Sequence, residues 1–190
     1  MSVRALARTG LLVSALLLAA CASEGAAKPP TGAGLPMWEG HAVQVFDDNI
    51  DPAAVGLSMD GASPRSDMFL RERSQTADLT ARVRVQTVTV DTVGDQKIYH
   101  LGVQVGLPTL SEGTMKDRTV ELSIKPASLG FPVARAFDSR LQGKTFIGFV
   151  RRFTTPEGDV ELHWHLAPDT ADVAAAVKEA VALKGIGVQQ

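Results

Sequence analysis

The sequence predicts a mainly β, α+β domain: a small curled sheet of five to six strands, a short helix before the last hairpin, and a second helix at the C-terminus. Three observations carry this reading. From Leu79 onward, runs rich in β-branched residues alternate apolar and polar positions and are separated by turn formers. The first of these runs changes its inward face partway along, as a strand does when it serves two halves of a curled sheet. After Asp169 the apolar spacing lengthens from two residues to three and four, the spacing of a helix.

Taken in order, residues 37–78 form an irregular N-terminal extension that packs on the sheet. Val43 to Phe46 reads as a short strand, and Asp67 to Ser74 as one or two helical turns that dock Phe69 and Leu70. The run 79–90 is the first long strand. Its apolar positions Val83 and Val85 are followed by Val88 and Val90, and that gap of three requires a bulge or a strong bend. Gly94-Asp95 marks the turn. In 97–107, Tyr99, Leu101, Val103, Val105 and Leu107 share one face while Gly102 and Gly106 on the other suggest close approach of a neighbouring chain. The third strand, 118–125, turns Val120, Leu122 and Ile124 inward. A short helix over Val133 to Leu141 precedes a hairpin of 144–153 and 159–166, joined by Thr154-Thr155-Pro156-Glu157-Gly158. Asp169 or Thr170 caps the last helix, Val173, Val177, Ala180 and Val181 form its apolar stripe, and Gly185 is placed to end it.

Three strands, a short helix, then two strands is also the element order of an OB-like β-barrel, an analogy of order and counts. The domain on this reading spans 79–190. A symmetric hairpin would place Arg151 opposite Glu161, Phe149 opposite His163 and Ile147 opposite His165, with Trp164 across Gly148. Phe149, Phe153 and Ile147 then need cover on the outer face, which the C-terminal helix is placed to give.

The first 20 of the 190 residues differ from the rest. They hold Arg4 and Arg8, no acidic residue, and the continuous apolar run Leu11 to Ala20. That is the layout of a secretory signal peptide, with an apolar run of about 10 residues where a membrane-spanning helix needs about 20. The run ends in Leu18-Ala19-Ala20-Cys21. This stretch resembles the lipobox of bacterial lipoproteins. The resemblance implies cleavage before Cys21, acylation of Cys21, and a membrane partner reached through that anchor. The alternative is a plain signal peptide with a small-residue cleavage site and an unrelated cysteine. Cys21 is the only cysteine in the chain, so no intramolecular disulfide forms. Ala22 follows Cys21, where an aspartate in lipoproteins of enteric bacteria implies inner-membrane retention. The resemblance therefore implies the outer membrane of a Gram-negative envelope, facing the periplasm. Residues 21–36, small and rich in Gly and Pro, read as anchor and flexible tether.

Without the leader, 17 basic side chains face 21 acidic ones, a net charge of −4. This balance argues against a nucleic-acid partner, which selects a basic surface. Gly143-Lys144-Thr145 lacks the first glycine of a phosphate-binding loop, since position 138 is Asp138. Arg151 and Arg152 point to opposite faces of their strand, and no serine lies in a nucleophile elbow. The cluster with most chemical content is Glu161-Leu162-His163-Trp164-His165. His163 and His165 share one strand face about 7 Å apart, and with Glu161 and Arg151 they form the candidate ligand site. A metal there would need a third ligand from Glu161, His100 or Asp169. The competing reading makes both histidines half-buried structural neighbours of the facing aromatic residues. No cofactor and no catalytic residue is expected. The expected function is a lipid-anchored, non-catalytic binding module whose partner is another envelope protein or a small ligand. The alternatives are metal or small-ligand binding at His163 and His165, and a hydrolase with a dispersed site.

Overall fold

The computed structural model describes residue 32 and residues 34–57 and 63–187, with side chains to residue 184. The leader, Cys21 and most of the expected tether lie outside the described residues. The elements are α1 (His41–Val45), β1 (Asn49–Ile50), α2 (Met68–Thr76), β2 (Leu79–Val93), β3 (Gln96–Val105), β4 (Thr119–Ile124), α3 (Phe131–Leu141), β5 (Thr145–Thr154), β6 (Val160–Pro168) and α4 (Ala171–Gly187). They build one six-stranded sheet in the order β1-β6-β5-β2-β3-β4. The pairs are antiparallel except β1 with β6, which is parallel. The sheet curls into a half-barrel, the α+β class read from the sequence. β4 and β6 meet across the opening without a backbone ladder among the described residues. Instead, the Trp164 indole on β6 donates to the Ser123 carbonyl on β4 at 3.3 Å.

The curl follows from β2. Val85 pairs with Val103 and Thr87 with Gly102, so Gln86 is the extra residue of a bulge. That bulge is the gap of three in the valine spacing, and it turns Val88 inward after Val85. Ala81, Val83, Leu101, Leu122, Ile124, Val150, Trp164 and Leu166 fill the inner face, and α3 closes it with Val133, Ala134 and Leu141. A second core lies on the outer face. There Ile147, Phe149, Phe153 and Ala167 pack beneath Val45, Phe46, Leu70, Val173 and Val177 of the three other helices. The C-terminal helix thus covers the outer aromatic residues, and the N-terminal extension shares the work.

Several sequence expectations shift. Residues 43–46 are not a strand. Val45 and Phe46 are consecutive and both buried, which an alternating strand on a sheet face does not allow, and the chain winds into α1 instead. The extended piece comes later, at Asn49–Ile50. α2 forms where it was expected, with the Asp67 carboxylate capping the amides of Phe69 at 2.8 Å and Leu70 at 3.1 Å. Leu70 is buried, while Phe69 stays partly exposed. In the last hairpin the register is offset by two residues from the symmetric guess. Arg151 lies opposite His163, Phe149 opposite His165, Phe153 opposite Glu161, and Val150 opposite Trp164. The loop is Thr155 to Asp159, closed by Thr155 N–H to the Asp159 carbonyl at 2.9 Å, so Thr154 stays in the strand. An offset of two preserves each side chain's face and changes only its neighbour. Thr170 caps α4, its hydroxyl accepting from Val173 N–H at 3.2 Å. The helix runs through Gly185 to Gly187, because a helix-interior glycine costs only about 1 kcal/mol and does not by itself end a helix. Part of the expected tether is docked: Gly32 N–H reaches the Gly158 carbonyl at 3.0 Å, and Thr154 N–H reaches that of Pro36 at 2.9 Å.

Candidate functional site

The four expected site residues of the domain sit on or beside the outer face of β6. Consecutive aspartates, Asp47 and Asp48, leave α1 and meet them. Asp48 adopts φ 48°, a left-handed conformation that Asp and Asn tolerate better than most residues. Its N–H donates to the Trp164 carbonyl at 2.9 Å, and its Oδ1 accepts from Trp164 N–H at 3.2 Å. This clamp aims Asp48 Oδ2 at His163 Nδ1, 2.9 Å away, while Asp47 Oδ1 meets His165 Nδ1 at 2.8 Å. Each carboxylate accepts, so each Nδ1 carries the proton. Asp47 also faces the Arg73 guanidinium at 3.5 Å, and Arg73, only 5% exposed, donates to the carbonyls of Val45 and Gln44. Burial pushes the Asp48 carboxyl above its ordinary value, partly opposed by His163 and by the Trp164 amide. Burial likewise draws Arg73 below the usual arginine value, against the pull of Asp47.

The histidine face is therefore not an open ligand face. His163 is 4% exposed and His165 7%. Trp38 stacks flat on His163, with ring centroids 3.6 Å apart and an interplanar angle of 5°, and Phe153 meets the same ring edge-on. The Trp38 indole donates to the Phe46 carbonyl at 2.8 Å, which fixes the stack. Arg151 is not paired with Glu161. It lies over the rings of Phe46 and Phe153, at 5.7 and 5.3 Å. Glu161 turns toward the seam between β4 and β6, with Oε1 3.4 Å from Lys125 Nζ and Oε2 3.5 Å from His163 Nε2. That Nε2 is buried and has no hydrogen-bond partner among the described residues. The seam holds a cavity of about 250 Å³, lined by Asp48, Glu121, Ser123, Lys125, Glu161 and His163.

The three proposed third ligands for a metal do not converge. Only Glu161 approaches His163. Asp169 holds Arg82 at 2.8 Å, and His100 lies between Asp91 and Glu121, at 3.3 and 3.1 Å. Among the described residues no group of three His, Cys, Asp or Glu side chains is arranged to hold a metal ion. Ser123 lies 3.3 Å from His100 Nδ1. Both nitrogens of that ring thus face carboxylates. All four histidines pair with carboxylates, His41 with Glu72 at 2.8 Å completing the set.

Sequence reasoning did not single out Asp47, Asp48, Arg73 or Trp38. The adjacent aspartates were the available signal, but their partners lie more than a hundred residues away. It also passed over a groove on the outer face of β2 and β3. Arg84 pairs with Gln104 on one side and with Thr145 on the other. With Arg82, Arg118, Gly106 and Leu107 these residues line a cavity of about 340 Å³. Arg82 is held by Asp169, whereas Arg84 and Arg118 have no carboxylate partner among the described residues.

Comparison with protein-family models, with curated proteins and with solved structures returns no match.

Proposed function

We propose that the chain is a lipid-anchored protein of the cell envelope, held by acyl chains on Cys21, whose domain is a non-catalytic binding module. The lipobox supports the anchor, since two or three acyl chains at about 0.8 kcal/mol per buried methylene hold a protein stably on a membrane. No described helix is long and apolar enough to cross a membrane. The observation that carries the binding role is the groove on β2 and β3: a ligand-sized concavity with two arginines that answer to no carboxylate among the described residues.

Two experiments test this reading. Cys21→Ala should move the protein from the membrane to the soluble fraction and abolish acyl labelling; unchanged membrane retention refutes the anchor. Amide exchange of the purified Cys21→Ala chain, with and without an extract of envelope lipids, glycans and proteins, tests the module. Slowed exchange across β2, β3 and residues 106–118 is expected, and exchange unaffected everywhere refutes it. A second reading, metal or small-ligand binding at His163, rests on the unpartnered Nε2 beside Glu161. The Asp48 contact resembles a carboxylate that orients a metal-binding imidazole. Protein purified without a His tag should then hold zinc in near-stoichiometric amount, and less than about a tenth of an equivalent removes the metal arm.

A further inference from the structure

We infer that the groove takes an amphiphilic anion: an acyl or alkyl chain that ends in a carboxylate or phosphate. This rests on the groove being the binding surface, and names what it binds. The cationic cavity does not stand alone. Val105, Leu107 and Arg118 line it and also line a second cavity of about 230 Å³, so the two are contiguous. The second is largely apolar, floored by Leu79, Val105 and Met115, all buried, and walled by Leu107, which is 62% exposed. Asp117 and Lys116 stand at its polar rim.

The two cavities divide one ligand between two chemistries. On the polar side, Arg84 projects between Gln104 and Thr145, and Arg118 approaches from the residue just before β4. A guanidinium presents paired N–H donors that match two oxygens of a carboxylate or phosphate. With Arg82 already engaged by Asp169, Arg84 and Arg118 are the donors left for an outside anion. On the apolar side, a chain end covers Leu107 and reaches the buried floor. Gly106 keeps the passage between the halves shallow: its N–H bonds the Arg82 carbonyl at 2.7 Å, and a Cβ there would stand 3.0 Å from that oxygen. A second fixed glycine holds the wall. A Cβ on Gly113 would overlap the Asp78 carbonyl, so only glycine lets residues 106–118 lie this close to the start of β2.

The test uses the unacylated full chain, Cys21→Ala, with dodecanoate and dodecyl phosphate as probes well below micelle formation. Titration calorimetry should show one site for an anionic chain, weakened by added salt. Arg84→Ala with Arg118→Ala should weaken binding at least tenfold; both side chains are exposed, so folding is unaffected. Leu107→Ser should weaken it through the apolar half. Acetate and inorganic phosphate, which lack the chain, should not bind measurably. Preference for dodecanoate assigns a free fatty-acid head, and preference for dodecyl phosphate a phospholipid-type head. Equal binding of dodecyltrimethylammonium, or full binding by the double arginine variant, overturns the inference. Protection of the groove by envelope extract with neither probe bound leaves the module standing and removes the amphiphile.

Discussion

The clamp at Asp48 makes a prediction whose size follows from the structure. Asp48→Ala removes the acceptor of two buried donors, Trp164 N–H and His163 Nδ1–H. Leaving a buried polar group unsatisfied costs about 1–3 kcal/mol each. The φ of 48° adds a penalty of about 1 kcal/mol for alanine in the left-handed region. The total is about 3–7 kcal/mol, which lowers the melting temperature of a domain this size by roughly 10–20 °C. Asp48→Asn behaves differently. Asn tolerates the same φ, and its Oδ1 can accept from Trp164 while its Nδ2 donates to His163 Nδ1. The imidazole then carries its proton on Nε2, 3.5 Å from Glu161 Oε2. The expected cost is about 1 kcal/mol or less. Urea unfolding followed by tryptophan fluorescence measures both variants. An alanine variant within 1 kcal/mol of wild type, or an asparagine variant as damaged as the alanine one, would show that the clamp does not hold the fold.

The same substitution has a pH signature. Burial raises the folded-state pKa of Asp48 above its model-peptide value of 3.8. A raised carboxyl stabilises the fold fully below pH 3.8, and this contribution declines as pH rises through the higher folded-state value. The stability gap between wild type and Asp48→Asn should therefore narrow from pH 4 toward neutrality; a gap that widens contradicts the assignment.

Three further outcomes are expected. Burial pushes Asp78 up, but hydrogen bonds from Thr114 and from the Arg152 backbone and side chain outweigh it and hold the carboxyl below 3.8. Its contribution is present above pH 3.8 and is lost as pH falls through the lower folded-state value, so Asp78→Asn should flatten the acid limb of the stability curve. Thr80 is fully buried with no partner for its hydroxyl among the described residues, and Thr80→Val should raise stability by about 1 kcal/mol in the same urea assay. Gly113→Ala should cost about 2–4 kcal/mol in thermal unfolding, since its Cβ overlaps the Asp78 carbonyl.

The legible parts of this fold were those set by neighbours in sequence. The bulge at Gln86 was written in the valine spacing, the inward face of β4 in Val120, Leu122 and Ile124, and the cap of α4 in Thr170. The illegible parts depend on partners far along the chain. Whether 43–46 is strand or helix is decided by the outer sheet face beneath Val45 and Phe46, which comes from residues 145–168. The hairpin register was off by two because alternation fixes a side chain's face and leaves its partner to the loop. The two readings of the histidines, ligand site or structural neighbours, stayed open in the sequence because their aspartates, 115 and 118 residues away, gave no local sign. The groove was missed because Arg82, Arg84 and Arg118 look like ordinary solvated charges until β2, β3 and the segment before β4 come together.

The outer core decides where the domain begins. A division at residue 78 treats the N-terminal extension as an appendage, yet its Val45, Phe46 and Leu70 are part of that core. Ile147, Phe149 and Phe153 are at most 1% exposed beneath α1, α2 and α4. Side chains of this kind contribute roughly 1.5–3 kcal/mol each when buried, so the three together approach the whole net stability of a typical domain, about 5–15 kcal/mol. Removing the extension would also leave His163 and His165 without Asp48 and Asp47, and strip from α4 the Gln75 bond to the Ala180 carbonyl at 3.1 Å. A chain beginning at Leu79 should therefore fail to fold, while one beginning at Gly32 folds with wild-type cooperativity. A chain from Leu79 that unfolds with a sharp transition and native circular dichroism would show that the inner core alone specifies the half-barrel.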